Sequence, residues 1–219
     1  SLLRAALVNL DRWVTSGHPA PPSRYPKISD GTAVSPETAL KTLTSIPGVE
    51  PPVHLRRFTR LDFGTDPGVP TKVPPVVGNL YPNLVSAVDG DGNETSGILM
   101  PFITVPLATY TGWNLRHADI GGNGEIMSTG GASGGTLKGS TIPFPAKAED
   151  REASGDPRLS IEERYASKEG YLNKIDEAAR SLLDEAYLLQ EDLATVMELA
   201  GDLYDVFVGR AAAVQAADN

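Results

Sequence analysis

Cysteine is absent from this chain of 219 residues, and cationic side chains are scarce. The absence of cysteine excludes disulfide bonds, zinc–thiolate sites and cysteine nucleophiles, but it does not assign a cellular compartment. The 19 lysines and arginines are outnumbered by 28 aspartates and glutamates, so the net charge is −9. We therefore expect no nucleic-acid partner, because neutralising phosphates requires clustered Lys and Arg side chains. We expect no anionic membrane partner for the same reason.

Long apolar runs are absent as well. No run approaches the roughly 20 apolar residues that a membrane-spanning helix requires. Residues 2–14 do not form a signal peptide, because Arg4, Asn9, Asp11 and Arg12 interrupt their apolar pattern.

Apolar side chains recur at helical spacing in the same residues 2–14. The pattern predicts an amphipathic helix of about four turns, with Gly17 as its stop. A single helix of this length is marginal alone, so its apolar face needs a cover, which we expect from residues before Ser1. The residues of that face are Leu3, Ala6, Leu7, Leu10, Trp13 and Val14.

The middle of the chain is rich in turn-forming residues, with most of its 18 prolines and 22 glycines. Residues 16–82 predict a long irregular segment that wraps a neighbouring surface. Scattered apolar side chains would dock there, such as Tyr25, Ile46, Val49, Leu61 and Phe63. Residues 84–88 and 97–100 predict a β-hairpin around the polar loop 89–96. Residues 102–109 predict a further strand, and residues 121–140 predict a flexible glycine-rich loop.

The C-terminal third carries the strongest helical pattern. Ser160 and Glu163 have the spacing of a capping box, and Ser167 is a second N-cap candidate. Apolar residues then repeat with a period of 3.6 over two stretches between residues 171 and 207. The pattern predicts two long helices that pack as a hairpin, followed by a frayed tail after Gly209.

Residues 131–135 (GASGG) match the G-x-S-x-G pattern of a serine nucleophile, with Ser133 at its centre. That motif needs a strand before the serine and a helix after it, because the strained turn exposes the hydroxyl. Glycines precede Ser133 and a glycine- and proline-containing stretch follows it. The context favours a glycine loop over a catalytic serine.

Metal chemistry has little support in the sequence. Asp89, Asp91 and Asn93 begin like a calcium-binding loop, but Glu94 and Met100 stand where glycine and glutamate are required. A hairpin turn explains the loop better, and we expect no metal site.

The three histidines, His18, His54 and His117, have no potential ligand at metal-binding spacing. We interpret His18 and His54 as solvated, and His117 as structural or at a pocket edge, since a general-base role needs a serine and an acid nearby. Ser1 opens a helix rather than a strand, which argues against an N-terminal nucleophile.

Tyr110, Thr111, Trp113 and Asn114 combine aromatic surface with hydrogen-bonding groups. Such a set is typical of a substrate pocket, in which apolar walls hold a ligand and a few polar atoms orient it. It is equally typical of a strand end that is covered by a buried tryptophan, with the asparagine bonded to local backbone. Both interpretations stay open from the sequence.

Several segments, in order along the chain, together resemble the C-terminal portion of a bacterial α/β-hydrolase domain-containing family of predicted carboxylic-ester hydrolases. They span nearly the whole chain, although none is a catalytic signature. These segments are residues 2–13 (LLRAALVNLDRW), 21–26 (PPSRYP), 87–93 (AVDGDGN), 106–114 (PLATYTGWN), 142–145 (IPFP), 155–158 (GDPR) and 160–165 (SIEERY).

The resemblance implies the α/β class, with this chain as the C-terminal part of an α/β-hydrolase fold. Residues 1–16 would be the last helix of the hydrolase core, and residues 17–147 a loop-rich extension with short strands and a β-hairpin over the active-site side. Residues 148–219 would be the helical hairpin and frayed tail. The glycine-rich loop at residues 128–140 is longer than the family pattern.

The resemblance also implies the chemistry: acyl transfer by a serine–histidine–acid triad, without a cofactor. The serine and the histidine would precede residue 2, so no catalytic residue is expected in this chain. Its partners would be an N-terminal hydrolase half, in the same protein or a separate chain, and a small-molecule ester. The alternative is a non-catalytic binding module that docks on a partner chain, which exposed apolar surface would favour.

Overall fold

The computed structural model describes residues 1–55, 57–127 and 139–217, with side chains up to residue 209. Helices and short strands are interspersed up to residue 143, and helices follow from residue 148; two 3-10 turns lie at Ala118–Ile120 and Gln190–Asp192. The helices are α1 (Leu2–Ser16), α2 (Pro36–Leu43), α3 (Pro101–Thr104), α4 (Ala148–Ser154), α5 (Ile161–Tyr165), α6 (Lys168–Asp184) and α7 (Leu193–Ala217). The strands are β1 (Ala33–Val34), β2 (Thr59–Asp62), β3 (Val76–Leu80), β4 (Val85–Ser86), β5 (Ala108–Thr111) and β6 (Ser140–Pro143).

The strands form antiparallel pairs, β1 with β4, β2 with β3, and β5 with β6. The β5–β6 pair lies beside the main hydrophobic core, which it shares with α5, α6 and α7. Helices α6 and α7 pack against each other. The buried core includes Leu107, Ala108, Phe144, Ile161, Tyr171, Ile175, Leu182, Val196 and Ala200.

The helix boundaries in the C-terminal third follow the capping signals. The Ser160–Glu163 capping box is confirmed, since each side chain bonds the other residue's backbone N–H. The Ser167 side chain accepts from the Gly170 N–H and begins α6, also as predicted. Gly17 ends α1 in the left-handed conformation. The assigned helix α7 extends to Ala217; fraying of the tail stays a prediction.

The predicted hairpin across residues 84–100 is wrong in its pairing. Strand β4 pairs with β1, in a register that places Ser86 opposite Ala33. Behind it the polar loop closes on itself, because the Asp89 N–H donates to the Asn93 carbonyl and only Val88 and Glu94 form a bridge. The loop therefore leaves no second strand at residues 97–100.

The predicted strand over residues 102–109 is also wrong in its first half. Pro101 begins the short helix α3, where proline fits because the first helical residue needs no N–H donor. The chain becomes a strand only at Ala108. Phe102 and Ile103 of α3 are partly buried, and Val105, Pro106 and Leu107, between α3 and β5, are buried without belonging to a strand.

Residues 16–82 are more ordered than the predicted irregular segment. They contain α2, which begins at Pro36 behind the N-cap Ser35, and the β2–β3 pair. The Ser-Pro-Glu sequence at residues 35–37 is an ordinary helix-start signal, which the prediction of an irregular segment did not take into account. Among the apolar residues expected to dock elsewhere, Ile46 is buried in this chain, while Tyr25, Leu61 and Phe63 are exposed.

Helix α1 packs on the C-terminal helical region through its less apolar side. Ala5 and Asn9 are buried there, and the Asn9 amide donates to the Ala186 carbonyl at 2.7 Å. Arg4 pairs with Asp192 at 2.5 Å. The apolar face of the helix points away, so that Leu3, Leu7, Leu10, Trp13 and Val14 are half to four-fifths exposed. No part of the chain that the structure describes covers this face.

Candidate functional site

A cavity of about 240 Å³ lies beside the end of β5. Tyr110, Thr111 and Trp113 line it, and so does Gly112 between them. The opposite walls come from distant parts of the chain and are apolar: Ala39, Leu40 and Leu43 of α2, Val85, Val88 and Ile126.

Asn114 lies at a different cavity. This second space measures about 180 Å³ and is lined by Glu50, Asn114 and Ser140 among others. Thr111 and Trp113 line both cavities, so these two residues stand between them. Three of the four residues predicted to form a pocket therefore share one cavity, and the fourth lies in its neighbour.

The turn that carries Trp113 is held by two hydroxyl groups. Thr111 Oγ1 and Ser140 Oγ both donate to the Trp113 carbonyl, at 2.5 and 3.1 Å. Thr111 Oγ1 also accepts from the Ser140 N–H at 3.1 Å. Gly139 must stay without a side chain here, because a Cβ would lie 2.0 Å from the Thr111 carbonyl oxygen. The backbone beside the indole is thus fixed by β6.

Asn93 positions β5 from its other edge, and sequence analysis missed this role. The residue is 1% exposed, and its side-chain amide donates to the Ala108 carbonyl at 3.0 Å and accepts from the Tyr110 N–H at 2.8 Å. Asn93 is itself placed by Asp89, whose carboxylate accepts from the backbone N–H groups of Asp91 and Asn93 at 2.9 Å. One side chain therefore bonds β5 as a neighbouring strand would.

The buried pair Asp156–Arg158 holds β5 to β6 and was also missed. Arg158 is 2% and Asp156 5% exposed. The guanidinium donates to both carboxylate oxygens, at 2.9 and 2.6 Å, and to Thr109 Oγ1 at 2.8 Å. It also donates to the carbonyls of Ile142 and Pro143, at 3.0 and 3.2 Å. One arginine thus joins both strands of the pair.

Burial sets the protonation of groups at the site. Burial alone raises the pKa of Asp156, but the hydrogen bonds from the Arg158 side chain and backbone N–H outweigh it, and the pKa lies below its ordinary value. Burial raises the pKa of the Tyr110 phenol, so this group at the cavity stays protonated.

The sequence of residues 1–198 matches a family model described as an alpha/beta hydrolase domain. The chain belongs to the alpha/beta hydrolase family. No curated protein and no solved structure matches it. Family membership places the chain in the α/β class and supports a hydrolase-type function. A serine hydrolase of this class would use a histidine hydrogen-bonded to a serine.

Within the described part of this hydrolase chain, no histidine is hydrogen-bonded to a serine. His18 and His54 are exposed. His117 is structural, because its Nδ1 accepts from the Asp119 N–H at 3.2 Å and caps a 3-10 turn. Ser1 precedes a helix, as expected. Ser133 of the G-x-S-x-G pattern lies outside the described residues.

The loop with Asp89, Asp91 and Asn93 forms a turn whose polar side chains are bonded within this hydrolase chain. Asp91 pairs with Arg164 at 2.5 Å, and the Asn93 side-chain amide is hydrogen-bonded to the backbone of β5. Within residues 1–55, 57–127 and 139–209, no three potential metal ligands cluster. Of the helices in the described part of the chain, none is long and apolar enough to cross a bilayer.

Proposed function

We propose that this chain is the C-terminal segment of a serine carboxylic-ester hydrolase, in which it shapes the substrate pocket. The nucleophile and the catalytic histidine lie outside residues 1–219, and the reaction is acyl transfer through a serine–histidine–acid triad without a cofactor. The observation that carries the proposal is the apolar cavity beside β5 in a member of the alpha/beta hydrolase family.

The cavity suits an ester substrate because an ester pairs one polar carbonyl group with hydrocarbon on either side. Ligand sites combine apolar walls with a few placed polar groups, and the two cavities that share Trp113 have this character. In this proposal Tyr110, Thr111, Trp113 and Asn114 face the substrate.

The exposed apolar face of α1 supports docking on the remainder of the hydrolase. Monomeric proteins rarely leave a contiguous apolar helix face in water, and a core sheet is an ordinary partner for one. The same face would serve a non-catalytic module docked on another chain, so activity must separate the two functions.

The decisive experiment treats the native, purified protein that contains this chain with a serine-directed aryl phosphonate and maps the labelled residue by mass spectrometry. Aryl-ester hydrolysis that the phosphonate abolishes, with the label on a serine outside residues 1–219, is the expected result. A label on Ser133 would place the nucleophile in this chain. If the protein shows neither hydrolysis nor labelling, the docking module is the better-supported function.

Trp113→Ala is expected to raise KM for aryl esters about tenfold and leave kcat nearly unchanged. The indole lines the cavity, and removing it takes about 1.5 kcal/mol of apolar contact from ground and transition states alike. Steady-state kinetics over several acyl chain lengths measure the effect. Trp113→Phe is the matched control and should lose less than half as much in free energy. Unchanged kinetics at every chain length would contradict a pocket role.

The paired change Leu7→Gln with Val14→Gln is expected to weaken assembly with the rest of the hydrolase at least tenfold. Burying both side chains is worth about 3 kcal/mol or more. The stability of the 219-residue chain itself should change by less than about 0.5 kcal/mol, because both residues are exposed in it. Co-purification and urea unfolding measure the two quantities. Arg12→Gln with Ser16→Gln, on the opposite side of α1, is the matched control and should assemble normally.

A further inference from the structure

The walls of the cavity beside β5 are assembled from five separate stretches of chain. Helix α2, the segment with Pro52 and Leu55, β4 with the turn behind it, the end of β5 and Ile126 each contribute. Gly92 lets the turn approach α2, because a Cβ at this position would lie 2.8 Å from a Leu43 methyl group. The cavity is therefore a product of the tertiary fold rather than a gap within one loop.

Two hydroxyl groups at the cavity, those of Ser86 and Thr111, are already hydrogen-bonded within the protein. Ser86 Oγ is paired with Ser96 Oγ at 2.8 Å, and Thr111 Oγ1 is shared between Trp113 and Ser140. A polar ligand would have to displace these bonds, and each buried group left unpaired would weaken its binding. The part of the cavity formed by Ser86 and Thr111 therefore favours a ligand group that makes no hydrogen bonds.

The charged residue in the described lining of the cavity is acidic. Glu94 is the acidic residue in its lining, and the described lining holds no lysine, arginine or histidine. Glu94 is exposed and forms no ion pair with the described residues. An anionic ligand would meet uncompensated repulsion from this carboxylate.

The volume bounds the size of the occupant. An apolar protein cavity of about 150 Å³ accepts benzene, which has six carbons. Scaled to about 240 Å³, the cavity holds roughly nine carbon atoms.

We infer that this cavity binds an uncharged hydrocarbon group of up to roughly nine carbons, and that Glu94 selects against a carboxylate on that group. The inference rests on the proposed function in one respect: the hydrocarbon belongs to the ester substrate. It defines the substrate class as neutral esters of medium-length aliphatic or small aromatic groups. Dicarboxylate half-esters are excluded.

The test measures binding to the 219-residue chain without any reaction. In a Trp13→Phe background Trp113 is the sole tryptophan, so its fluorescence reports occupancy. The probes are n-alkanols from butanol to decanol and the n-alkanoates of the same lengths, at about pH 8, where the carboxylates are ionised. Alkanol affinity should rise about threefold to fourfold per methylene and stop rising near nonanol. Alkanoates should bind about tenfold more weakly than the matching alkanols.

Two pairs of variants assign the effects to the cavity. Glu94→Gln should remove most of the difference between alkanol and alkanoate, while Glu198→Gln, at an exposed position on α7, should not. Ala39→Leu should fill the cavity and weaken octanol binding at least tenfold, while Ala194→Leu, also exposed on α7, should leave it unchanged. If Ala39→Leu fails to fold, Val88→Phe is made instead in the same Trp13→Phe background. It fills the cavity from another wall.

Equal affinity for alkanols and alkanoates, or octanol binding that survives both cavity-filling variants, would overturn the inference. So would affinity that keeps rising through decanol, which indicates surface adsorption. Failure of this inference is separable from failure of the proposed function. Absent alkanol binding beside phosphonate-sensitive ester hydrolysis would reject only the subsite. Saturable alkanol binding in a protein without hydrolysis would reject only the esterase.

Discussion

Arg158→Ala is expected to lower the free energy of unfolding by about 3–5 kcal/mol, because it leaves the buried Asp156 carboxylate without its cation. The five hydrogen bonds of the guanidinium, to Asp156, Thr109 and the carbonyls of Ile142 and Pro143, are lost together. The loss is a large share of the roughly 5–15 kcal/mol that stabilises a domain. Urea unfolding followed by circular dichroism measures it.

Two controls distinguish the effect of burying the Asp156–Arg158 pair on stability from the effect of an ion pair in general. Arg180→Ala removes an exposed pair with Asp176 one helical turn away and should cost only about 0.5 kcal/mol. The double change Asp156→Leu with Arg158→Met should cost less than Arg158→Ala, because no unpaired charge stays buried. An Arg158→Ala protein within about 1 kcal/mol of the wild type would contradict the assigned role.

The same pair predicts a pH dependence. The pKa of Asp156 is lower in the folded chain than its ordinary value of 3.8, so the folded state favours the ionised form. Its contribution is therefore complete above the ordinary pKa and is lost as the pH falls through the folded-state value. Below about pH 4, stability should fall more steeply in the wild type than in Asp156→Asn. Parallel curves would show that this carboxyl is not responsible.

Asn93→Ala is expected to cost about 2–4 kcal/mol, since it leaves the Tyr110 N–H and the Ala108 carbonyl unpaired in a buried site. It should also weaken octanol binding, because those two bonds fix the strand that ends at the cavity. Thermal unfolding and Trp113 fluorescence measure the two effects.

Asn93→Asp provides a finer comparison. Aspartate can still accept from the Tyr110 N–H but cannot donate to Ala108, and it buries a charge. We expect it to be no more stable than Asn93→Ala at neutral pH and to recover as the pH falls. Asn123→Ala, at an exposed position, is the matched control and should be neutral. An Asn93→Ala protein as stable as that control would refute the role of the amide.

Features set by neighbouring residues were predictable from the sequence. The capping box at Ser160, the start of α6 behind Ser167 and the stop at Gly17 each depend on contacts within four residues. The apolar residues of α6 and α7 recur at helical spacing over several turns, so the pattern predicts a helix even where single residues depart from it.

Features set by distant residues were not predictable. Strand β4 pairs with β1 about fifty residues earlier, and no local pattern of two-residue strands encodes such a partner. The side chains of Asn93 and Arg158 bond backbone groups 15 to 17 and 15 to 16 residues away. Their residue types give no sign of these targets. The division of the chain at residues 16 and 147 stays a prediction.

The candidate site combines features set by neighbouring residues with features set by distant ones. A position of Tyr110, Thr111 and Trp113 at a cavity was one of two interpretations that the sequence left open, because a strand end with aromatic and hydroxyl groups is typical of a pocket wall. The opposite wall on α2 was not predicted, because the helix was hidden among prolines and its position depends on the β1–β4 pair. A local sequence pattern could therefore identify one side of the cavity only.

The amide of Asn93 also has a consequence for solubility. Among the described residues, β5 pairs with a strand on one side only, that of β6. An unpaired strand edge is a template on which another chain can add a strand. Asn93 occupies the two backbone groups that such a strand would use, the Tyr110 N–H and the Ala108 carbonyl. A single side chain thus hinders intermolecular β-pairing at this edge of β5, a strand that contributes to the hydrophobic core.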